Sequence, residues 1–250
     1  MSPRIYLAQA FATGDVLTLP AMQSRHLQVL RLQPGHALLL FNGHDSNEWQ
    51  AEVTRIGRAE VEVRVGAGRR VERELPVAVT LAFGIPANER MDALVEKATE
   101  LGAVAIQPLV CERSVVRLAG ERAETRGRHW SAVAASASEQ CGRVRVPGIG
   151  APMKLDAWLR GVGRDTTRLV LSFAATAASL TTLAITAPKG LARPFVVLSG
   201  PEGGLGPDEE SAAVAAGFIP VSLGPRVLRA DTAPLVALAW LGMAAEAERR

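Results

Sequence analysis

Cysteine is scarce in this sequence of 250 residues, which contains only Cys111 and Cys141. A secreted fold stapled by disulfides would need more cysteines, and two thiols in an otherwise ordinary chain suit the reducing cytosol. Two cysteines are also too few for a four-ligand zinc site, and His129 is the only histidine near them in sequence. We therefore expect two free thiols, no bound metal and a cytoplasmic protein.

Long apolar runs are absent as well. No stretch of about 18 or more apolar residues occurs, so we expect no membrane span. Residues 1–7 lack a basic segment followed by a long apolar one, so they do not resemble a signal peptide. The composition, 48% hydrophobic and 21% charged, excludes a disordered tail protein and a low-complexity fibre.

Lysine is a further rare residue, found only at positions 97, 154 and 189, so nearly all of the 28 basic side chains are arginine. Arginine matches phosphate with a planar fork and stacks on bases, which favours a nucleic-acid partner. A GC-rich genome would enrich arginine and alanine in the same way. The net charge of +3 does not decide between these two interpretations.

The N-terminal part, up to about residue 74, has the pattern of a β-rich domain. Residues 59–65, AEVEVRV, alternate polar and apolar side chains as a half-buried antiparallel strand does. Asn42-Gly43 is a strong hairpin signal, and Ser24 is placed to cap a short helix over 24–30. Further strands are predicted over 16–19, 36–41 and 48–56.

From Leu75 onward strands alternate with helices, which predicts an α/β fold with a mostly parallel sheet. Continuous apolar runs such as VAVTLAFGI are typical of strands covered on both faces. The predicted strands are 77–85, 103–111, 167–173, 193–200 and 218–224. The predicted helices are 91–101, 122–140, 207–216 and 232–248. Gly102 is predicted to end the first of them.

Two loops in this second part contain the residues best suited to chemistry. The first, LSGPEGGLGPDE at 198–209, follows a buried strand, and its glycines let the backbone approach a ligand closely. The second, LGPRVLRADTAP at 223–234, follows the last strand. Ligands of open parallel sheets bind outside the carboxyl ends of strands, so we expect both loops to share one site. Structural roles stay open, because Glu202 and Asp231 can each cap a following helix.

The pair GPEGG and LGPRVLRADTA resembles the closing motifs of the SPOUT-class RNA methyltransferases, in particular those that methylate N3 of a uridine in bacterial 16S ribosomal RNA. Four other segments agree in the expected order: RHLQVLRL (25–32), EKATELGAVAIQPL (96–109), CERSVV (111–116) and SEQCGRVRVP (138–147). The resemblance therefore covers nearly the whole chain. One departure is Arg229-Ala230-Asp231-Thr232, where the family usually has Arg-Thr-Glu-Thr, so the acid is one methylene shorter.

The resemblance implies a PUA-like RNA-binding β-barrel over residues 1–74. Over residues 75–250 it implies a SPOUT methyltransferase domain with a mostly parallel sheet and a deep trefoil knot. It also implies a homodimer, with the cofactor S-adenosylmethionine bound against knotted loops near the dimer interface. The implied substrate is 16S ribosomal RNA within the 30S subunit, and the implied reaction uses neither a metal nor a covalent intermediate.

The resemblance and the loop pattern together select the site residues. The cofactor set is Leu198, Gly200, Glu202, Gly203, Gly204, Leu223, Gly224, Arg226 and Leu228. The catalytic set is Arg229, Asp231 and Thr232. Arg229 is expected to bind the uracil oxygens or a phosphate, and Thr232 can hydrogen-bond the base or the backbone. Asp231 either orients Arg229 or accepts the N3 proton. A carboxylate with a pKa of about 4 is a poor base for so weak an acid, which favours orientation.

Contacts to RNA are expected from basic side chains in both parts of the chain: Arg25, His26, Arg31, Arg113, Arg143 and Arg145. Arg143 and Arg145 are two positions apart and share one face if their segment is extended. For each residue the alternative is a solvated surface. His129 and Trp130 fall within a predicted helix, where packing is the simpler role.

Two other functions stay open at this point. One is methylation of a ribose 2′-OH or of guanine N1 by another SPOUT enzyme, which the full-length match disfavours. The other is a non-catalytic RNA-binding protein of ribosome assembly, which would not need both C-terminal loops intact.

Overall fold

The computed structural model describes residues 2–87, 90–116, 118, 120–163, 165–182, 191 and 193–249. The chain divides into two compact units. The first combines Met1–Glu74 with Ser138–Val146, and the second combines Leu75–Ala137 with Pro147–Arg250. The sequence pattern does not predict that the segment 138–146 belongs to the first unit. Its membership depends on distant contacts, such as that of Arg143 with Glu74, 69 positions away.

The described part of the first unit contains a five-stranded sheet in the order β1-β3-β4-β5-β2. Its strands are β1 (Arg4–Tyr6), β2 (Val16–Thr18), β3 (Ala37–Phe41), β4 (Asn47–Ile56) and β5 (Val61–Arg70). β1 pairs with β3 in parallel, and the other neighbours are antiparallel. The predicted alternation is confirmed in β5, where Val61, Val63 and Val65 are buried in the core of this unit.

Helix α1 (Ala21–Val29) corrects one expectation. Ser24 is not its N-cap, because the helix begins at Ala21 and Ser24 lies inside it, fully buried. The Ser24 hydroxyl donates to the Leu19 carbonyl at 2.9 Å and accepts from the Val61 amide at 3.1 Å. The hydroxyl therefore ties the helix to the first residue of β5 instead of capping it.

A buried ion pair between Arg4 and Glu48 lies in the same unit. Glu48 is 3% exposed and receives hydrogen bonds from Arg4 and Arg69 at 2.9 and 3.1 Å. Burial alone favours its neutral form, but these hydrogen bonds and the nearby charge of Arg4 outweigh burial and hold the pKa of Glu48 below its usual value. Arg4 also donates to the carbonyls of Ser138 and Arg143 at 2.8 and 2.9 Å, which fastens the segment 138–146 to β1.

An all-parallel sheet forms the framework of the second unit, with eight strands in the described ranges. Its order is β11-β13-β10-β12-β6-β7-β8, and β9 also pairs with β7. The strands are β6 (Val79–Gly84), β7 (Ala105–Val110), β8 (Gly148–Ile149), β9 (Met153–Lys154), β10 (Thr167–Leu171), β11 (Ala178–Ser179), β12 (Phe195–Ser199) and β13 (Ile219–Ser222). The five predicted strands are confirmed as β6, β7, β10, β12 and β13, each shorter than its apolar run.

Helices within the described ranges of the chain's second part include α2 (Arg90–Glu100), α3 (Gly120–Cys141), α4 (Leu155–Gly161), α5 (Pro207–Ala215) and α6 (Ala233–Glu248). All of β12 is buried, as expected for a strand covered on both faces. One core cluster packs Leu198 of β12 with Trp158 of α4 and Ala213 of α5. Gly102 follows α2 with a φ of +96°, which confirms the predicted helix-ending glycine. No helix in the described ranges combines the length and the apolar character that crossing a membrane requires.

Candidate active site

A cavity opens at the carboxyl ends of three neighbouring strands, β13, β10 and β12, with β10 in the middle. Its volume is about 400 Å³, within the range of small-molecule sites. Its walls come from residues 171–174 at the end of β10, 199–205 at the end of β12, and 221, 223, 224, 226–228 and 230 at the end of β13 and in the loop that follows. Arg113, Glu210 and Ala233 complete the lining. The two C-terminal loops therefore line one cavity, as expected if they share a site.

The glycine-rich loop after β12 is packed closely against itself and against β6. A Cβ atom on Gly200 would lie 2.6 Å from the backbone of Gly204 and Leu205, so no side chain fits there. Gly204 has a φ of +70°, which side chains rarely tolerate. A Cβ on Gly84, at the end of β6, would meet Pro201 at 2.5 Å. The loop is therefore held tightly, and its backbone lines the cavity.

Two side chains anchor this loop to neighbouring segments. Glu202 accepts a hydrogen bond from the Ala87 amide at 2.9 Å and lies 3.9 Å from the Arg90 guanidinium. Arg113 donates to the Gly203 carbonyl at 2.9 Å. Glu202 therefore lines the cavity, while its carboxylate is already bonded to a neighbouring segment. Arg113, which is expected from the sequence to contact RNA, lies against the glycine-rich loop.

Helix α5 is capped by Glu209, so the capping role considered for Glu202 is wrong. The Gly206 amide donates to Glu209 Oε2 at 2.9 Å, and Pro207 opens the helix as predicted. The other carboxylate oxygen of Glu209 accepts from the Glu112 amide at 2.8 Å. One carboxylate therefore caps the helix and also holds the segment after β7.

The loop after β13 makes fewer contacts with its surroundings. Gly224 has a φ of +101°, a conformation that favours glycine. The Arg229 carbonyl accepts from the amides of Thr232 and Ala233 at 2.9 and 3.0 Å, which forms a tight turn before α6. The side chains of Arg226 and Arg229 are exposed. Neither guanidinium has a carboxylate partner within the described residues, so both charges are available to a ligand.

The three predicted catalytic residues lie beside the cavity without lining it. Leu228 and Ala230, on either side of Arg229, do line it. Asp231 Oδ1 is buried and has no hydrogen-bond partner in the described part of the chain. Asp231 does not cap α6, because Thr232 holds the cap position and no side-chain hydrogen bond closes it. The expected ion pair of Asp231 with Arg229 is also not found among the described residues, so no structural contact explains this carboxylate.

Most residues predicted to bind a cofactor do line the cavity. These are Gly200, Glu202, Gly203, Gly204, Leu223, Gly224, Arg226 and Leu228. Leu198 is the exception, because it is fully buried within β12 and pairs there with neighbouring strands. The strand continues to Ser199, which takes the lining position instead.

The predicted RNA contacts separate into surface and interior residues. Arg25, His26, Arg31 and Arg145 are exposed. Arg143 is only 4% exposed, and its guanidinium donates to Glu74 at 3.0 Å, so it cannot reach a phosphate at the surface. The expectation that Arg143 and Arg145 share one face is therefore wrong. Both residues belong to the first unit, where Arg143 is buried and Arg145 is exposed.

The remaining predictions concern thiols, metals and packing. Cys111 and Cys141 are free, and burial, followed by the nearby Glu209 charge, raises the pKa of Cys111 to about 12. No group of three or more metal-ligating side chains occurs within the described ranges. Trp130 is buried as expected, whereas the His129 side chain is half exposed and shares the Asp92 carboxylate with it.

Sequence reasoning missed the wall that the end of β10 contributes. Ser172 and Phe173 line the cavity, as does Glu210 from the first turns of α5. The Ser172 hydroxyl donates to the Glu210 carboxylate, and Phe173 is 73% exposed. The run at 167–173 is recognisable as a strand. Only the sheet order places its end between the two loops, so no local signal could have identified these residues.

Two family models match the chain. One is described as an RNA methyltransferase domain and matches residues 73–242, and the other is described as an RNA methyltransferase PUA domain and matches residues 19–66. The fold is therefore that of an RNA methyltransferase with an N-terminal PUA domain, and the residues that line the cavity lie within the matched methyltransferase domain. The predicted fold class, a PUA-like domain followed by a mostly parallel α/β domain, is confirmed, while the trefoil knot stays a prediction.

Individual relatives define the family more narrowly. Ribosomal RNA small subunit methyltransferase E from Synechocystis sp. is 32% identical, over 96% of this chain and 77% of its own. The crystal structure of the Neisseria gonorrhoeae ribosomal RNA small subunit methyltransferase E bound to S-adenosyl methionine is 33% identical, covers 98% of both chains and has a TM-score of 0.89. A Legionella pneumophila protein solved with the cofactor SAM bound is 34% identical, covers 98% of both chains and has a TM-score of 0.90. This chain belongs to the ribosomal RNA small subunit methyltransferase E family.

Proposed function

We propose that this protein transfers a methyl group from S-adenosylmethionine to N3 of a uridine in 16S ribosomal RNA. The observation that carries the proposal is the cavity where the GPEGG loop and the loop after β13 meet, in a chain of this family. The name of its relatives supports small-subunit ribosomal RNA as the substrate, and two solved relatives hold the cofactor. The full-length match, including EQCGR and LGPRVLR, favours uridine N3 over a ribose 2′-OH or guanine N1.

The cavity fits S-adenosylmethionine in size and in chemistry. Gly200, Gly203 and Gly204 present main-chain groups without intervening side chains, and Leu223 and Leu228 add apolar surface for a purine ring. These residues would hold the cofactor, which supplies a methyl group activated on a positively charged sulfur. The protein then has to align the acceptor nitrogen with that methyl group. Alignment alone can lower a barrier by roughly 7–11 kcal/mol.

Arg229 is the side chain proposed to receive the uracil. Its exposed guanidinium lies between two cavity-lining residues and is free to bind the uracil oxygens or a neighbouring phosphate. As N3 loses its proton, negative charge develops on the uracil oxygens, and a fixed cation near them lowers the barrier.

Asp231 and Thr232 complete the proposed catalytic group. The carboxylate of Asp231, whose Oδ1 has no partner in the described chain, either pairs with Arg229 once RNA is bound or accepts the N3 proton. Thr232 is exposed and supplies a hydroxyl for the base or the backbone. The proposed reaction involves no metal and no covalent enzyme intermediate.

We further propose that the protein is a cytoplasmic homodimer. Helix α6 supports the dimer because Leu238 and Leu241 are buried, whereas Val236 and Met243, two turns apart on another face, are 40% and 74% exposed. Ala233, at the start of the same helix, lines the cavity, so a dimer contact along α6 would lie close to it. Light scattering at micromolar concentration should give twice the chain mass of 26.5 kDa, and a monomer mass would contradict the dimer.

The test of the activity is incubation of unmodified 30S subunits with the protein and isotopically labelled S-adenosylmethionine. We expect labelled N3-methyluridine after digestion to nucleosides and mass spectrometry. Labelled 2′-O-methyluridine or N1-methylguanosine would assign a different methyltransferase activity. Absence of label, with cofactor binding intact by calorimetry, would favour a non-catalytic RNA-binding protein. Free 16S RNA in parallel tests whether the assembled subunit is the better substrate, as we expect.

A further inference from the structure

We propose that Glu210, oriented by Ser172, recognises the cofactor by accepting hydrogen bonds from its hydroxyl or ammonium groups. The inference rests on the function proposed above and adds a side chain outside the residues that the two loop motifs select. Glu210 and Ser172 come from different segments, the start of α5 and the end of β10, and both line the cavity.

Ser172 has a fixed geometry that determines where its hydroxyl proton points. Its amide donates to the Val221 carbonyl at 2.9 Å, and its hydroxyl oxygen accepts from the Ala174 amide at 3.0 Å. Ser172 is 8% exposed, so its position is enclosed. Because a hydroxyl has a single proton, the remaining hydrogen bond goes to Glu210 Oε1. One oxygen of the carboxylate is therefore held by Ser172 before any ligand binds.

Glu210 also has acceptor capacity to spare and, unlike the other carboxylate in the lining, has no salt-bridge partner within the described residues. That other carboxylate, Glu202, accepts from the Ala87 amide and lies 3.9 Å from the Arg90 guanidinium. Glu210 receives the Ser172 hydroxyl through one oxygen, while within the described residues its second oxygen has neither a hydrogen-bond donor nor a cation. The helix cap is provided by Glu209, so Glu210 is not needed for that purpose.

A helix-stabilising role alone does not account for this arrangement. Acidic side chains near a helix N-terminus are favoured by the helix dipole, and Asp208 in the same turn is such a residue. Asp208, however, is exposed and does not line this cavity, whereas Glu210 is half-buried, lines it and is bonded to Ser172. Asp208 is therefore the matched control for the charge of Glu210.

The chemistry of S-adenosylmethionine matches a single oriented carboxylate. The molecule offers donors at the ribose hydroxyls and at the ammonium group, and its sulfur carries a positive charge. Hydrogen bonds that involve a charged partner are shorter and stronger than neutral ones. Glu210 would therefore bind donor groups and offset positive charge in one enclosed place.

The test is calorimetric binding of three ligands to the purified full-length protein: S-adenosylmethionine, S-adenosylhomocysteine and 5′-methylthioadenosine. Glu210→Gln should weaken binding of S-adenosylmethionine roughly 3- to 30-fold, because a hydrogen bond to a charged carboxylate becomes one to a neutral amide oxygen. Asp208→Asn removes the same charge outside the cavity and should change affinity by less than about twofold. Thermal melts of both variants verify that the fold is kept.

The three ligands identify the donor. An equal loss for all three supports the ribose hydroxyls, because 5′-methylthioadenosine keeps the ribose but lacks the amino-acid chain. A loss confined to the other two ligands supports the ammonium group. Unchanged affinity of Glu210→Gln for all three, in a protein whose wild type binds them, overturns the inference. A wild type that binds none of the ligands overturns the proposed function itself.

Ser172 supplies a second variant that does not depend on Glu210→Gln folding. Ser172→Ala should weaken the same ligands roughly 3- to 10-fold, since the carboxylate remains but loses its orientation. In the double variant Ser172→Ala should add little to the effect of Glu210→Gln, because Ser172 acts through Glu210. If the two effects multiply instead, Ser172 contributes independently and the positioning role is wrong.

Discussion

The two loops that form the cavity are built in opposite ways. The glycine-rich loop is fastened from outside, with Glu202 bonded to Ala87 and Arg113 bonded to the Gly203 carbonyl. In the loop after β13 the hydrogen bonds are mostly with its own neighbours, and Arg229 stays exposed without a carboxylate partner in the described structure. A preformed loop loses little freedom when a small ligand binds, whereas unpaired groups are available to a large substrate. The contrast supports the proposal that the fastened loop holds the cofactor, with Leu223 and Leu228 completing the pocket, and that Arg229 of the second loop meets the RNA.

The largest effect is expected from Gly200→Ala in the first loop. Its new Cβ would lie 2.6 Å from the backbone of Gly204 and Leu205, so the loop could not keep its shape, and cofactor binding should fall below detection in calorimetry. Gly203→Ala is the matched control. A Cβ there would lie 3.0 Å from the Arg113 Cβ and clear of the loop's own backbone, so a small shift of Arg113 accommodates it and affinity should fall only modestly. A folded Gly200→Ala protein with normal affinity would place the cofactor elsewhere.

The elements of the fold could be predicted where local pattern determines them. The apolar run at 193–200 is β12, and the alternating run at 59–65 lies largely in β5. Strands of two residues, such as β8 and β9, have no periodic signal and exist because they pair with the distant β7. The prediction for Ser24 is wrong because a serine can either cap a helix or form a hydrogen bond to another secondary-structure element. Only the packing of the fold shows which of these two roles it has.

The site could be predicted where a single segment contains both charged side chains and the glycines or prolines typical of turns. The glycine-rich loop and the arginine loop are of this kind, and eight of the nine predicted cofactor residues line the cavity. Ser172 and Glu210 meet only because β10 lies beside β12 in the sheet, which no local pattern reveals. The prediction that Arg143 contacts RNA at the surface is wrong for the opposite reason. Its charge suggests a surface role, but Glu74, 69 positions earlier, pairs with it in the interior.

The second largest effect is expected from Arg229→Ala in the second loop. Removing a cation that stabilises developing charge should lower the single-turnover rate of methyl transfer roughly 10²- to 10³-fold. Cofactor affinity should stay within about twofold, because Arg229 does not line the cavity. Arg229→Lys keeps the charge and loses the planar fork, so an intermediate rate is expected. Arg122→Ala, an exposed arginine of α3, is the control for general charge. If Arg229→Ala lowers cofactor affinity as much as it lowers the rate, the proposal that the two loops have different roles is wrong.

Asp231→Asn should have a smaller effect, about tenfold on the single-turnover rate. Asparagine keeps the shape and one acceptor oxygen for Arg229 but removes the charge, so an orienting residue loses only part of its function. A proton acceptor would instead lose roughly 10²- to 10⁴-fold. Rates measured across pH separate the two roles. If Asp231→Asn is as slow as Arg229→Ala and also removes a titration seen in the wild type, Asp231 is the base.

The smallest effect is expected from Arg113→Ala, which also tests whether the first loop is held from outside. The Arg113 guanidinium donates to the Gly203 carbonyl at 2.9 Å and lines the cavity, although the sequence pattern groups it with RNA-binding arginines. Loss of one such hydrogen bond is worth about 0.5–1.5 kcal/mol, which corresponds to roughly a two- to tenfold loss of cofactor affinity.

Arg113→Lys provides the matched comparison, because an ammonium group can still donate to the Gly203 carbonyl. It should restore most of the cofactor affinity lost in Arg113→Ala if the hydrogen bond is what matters. RNA affinity is measured separately by filter binding at fixed salt. In either Arg113 variant it should fall by no more than the loss of a single phosphate contact would cause. If Arg113→Ala weakens RNA binding and leaves cofactor affinity intact, the glycine-rich loop keeps its shape without this anchor. The contrast between a fastened loop and a free one would then have to rest on Glu202 and the tight backbone packing at Gly200 alone.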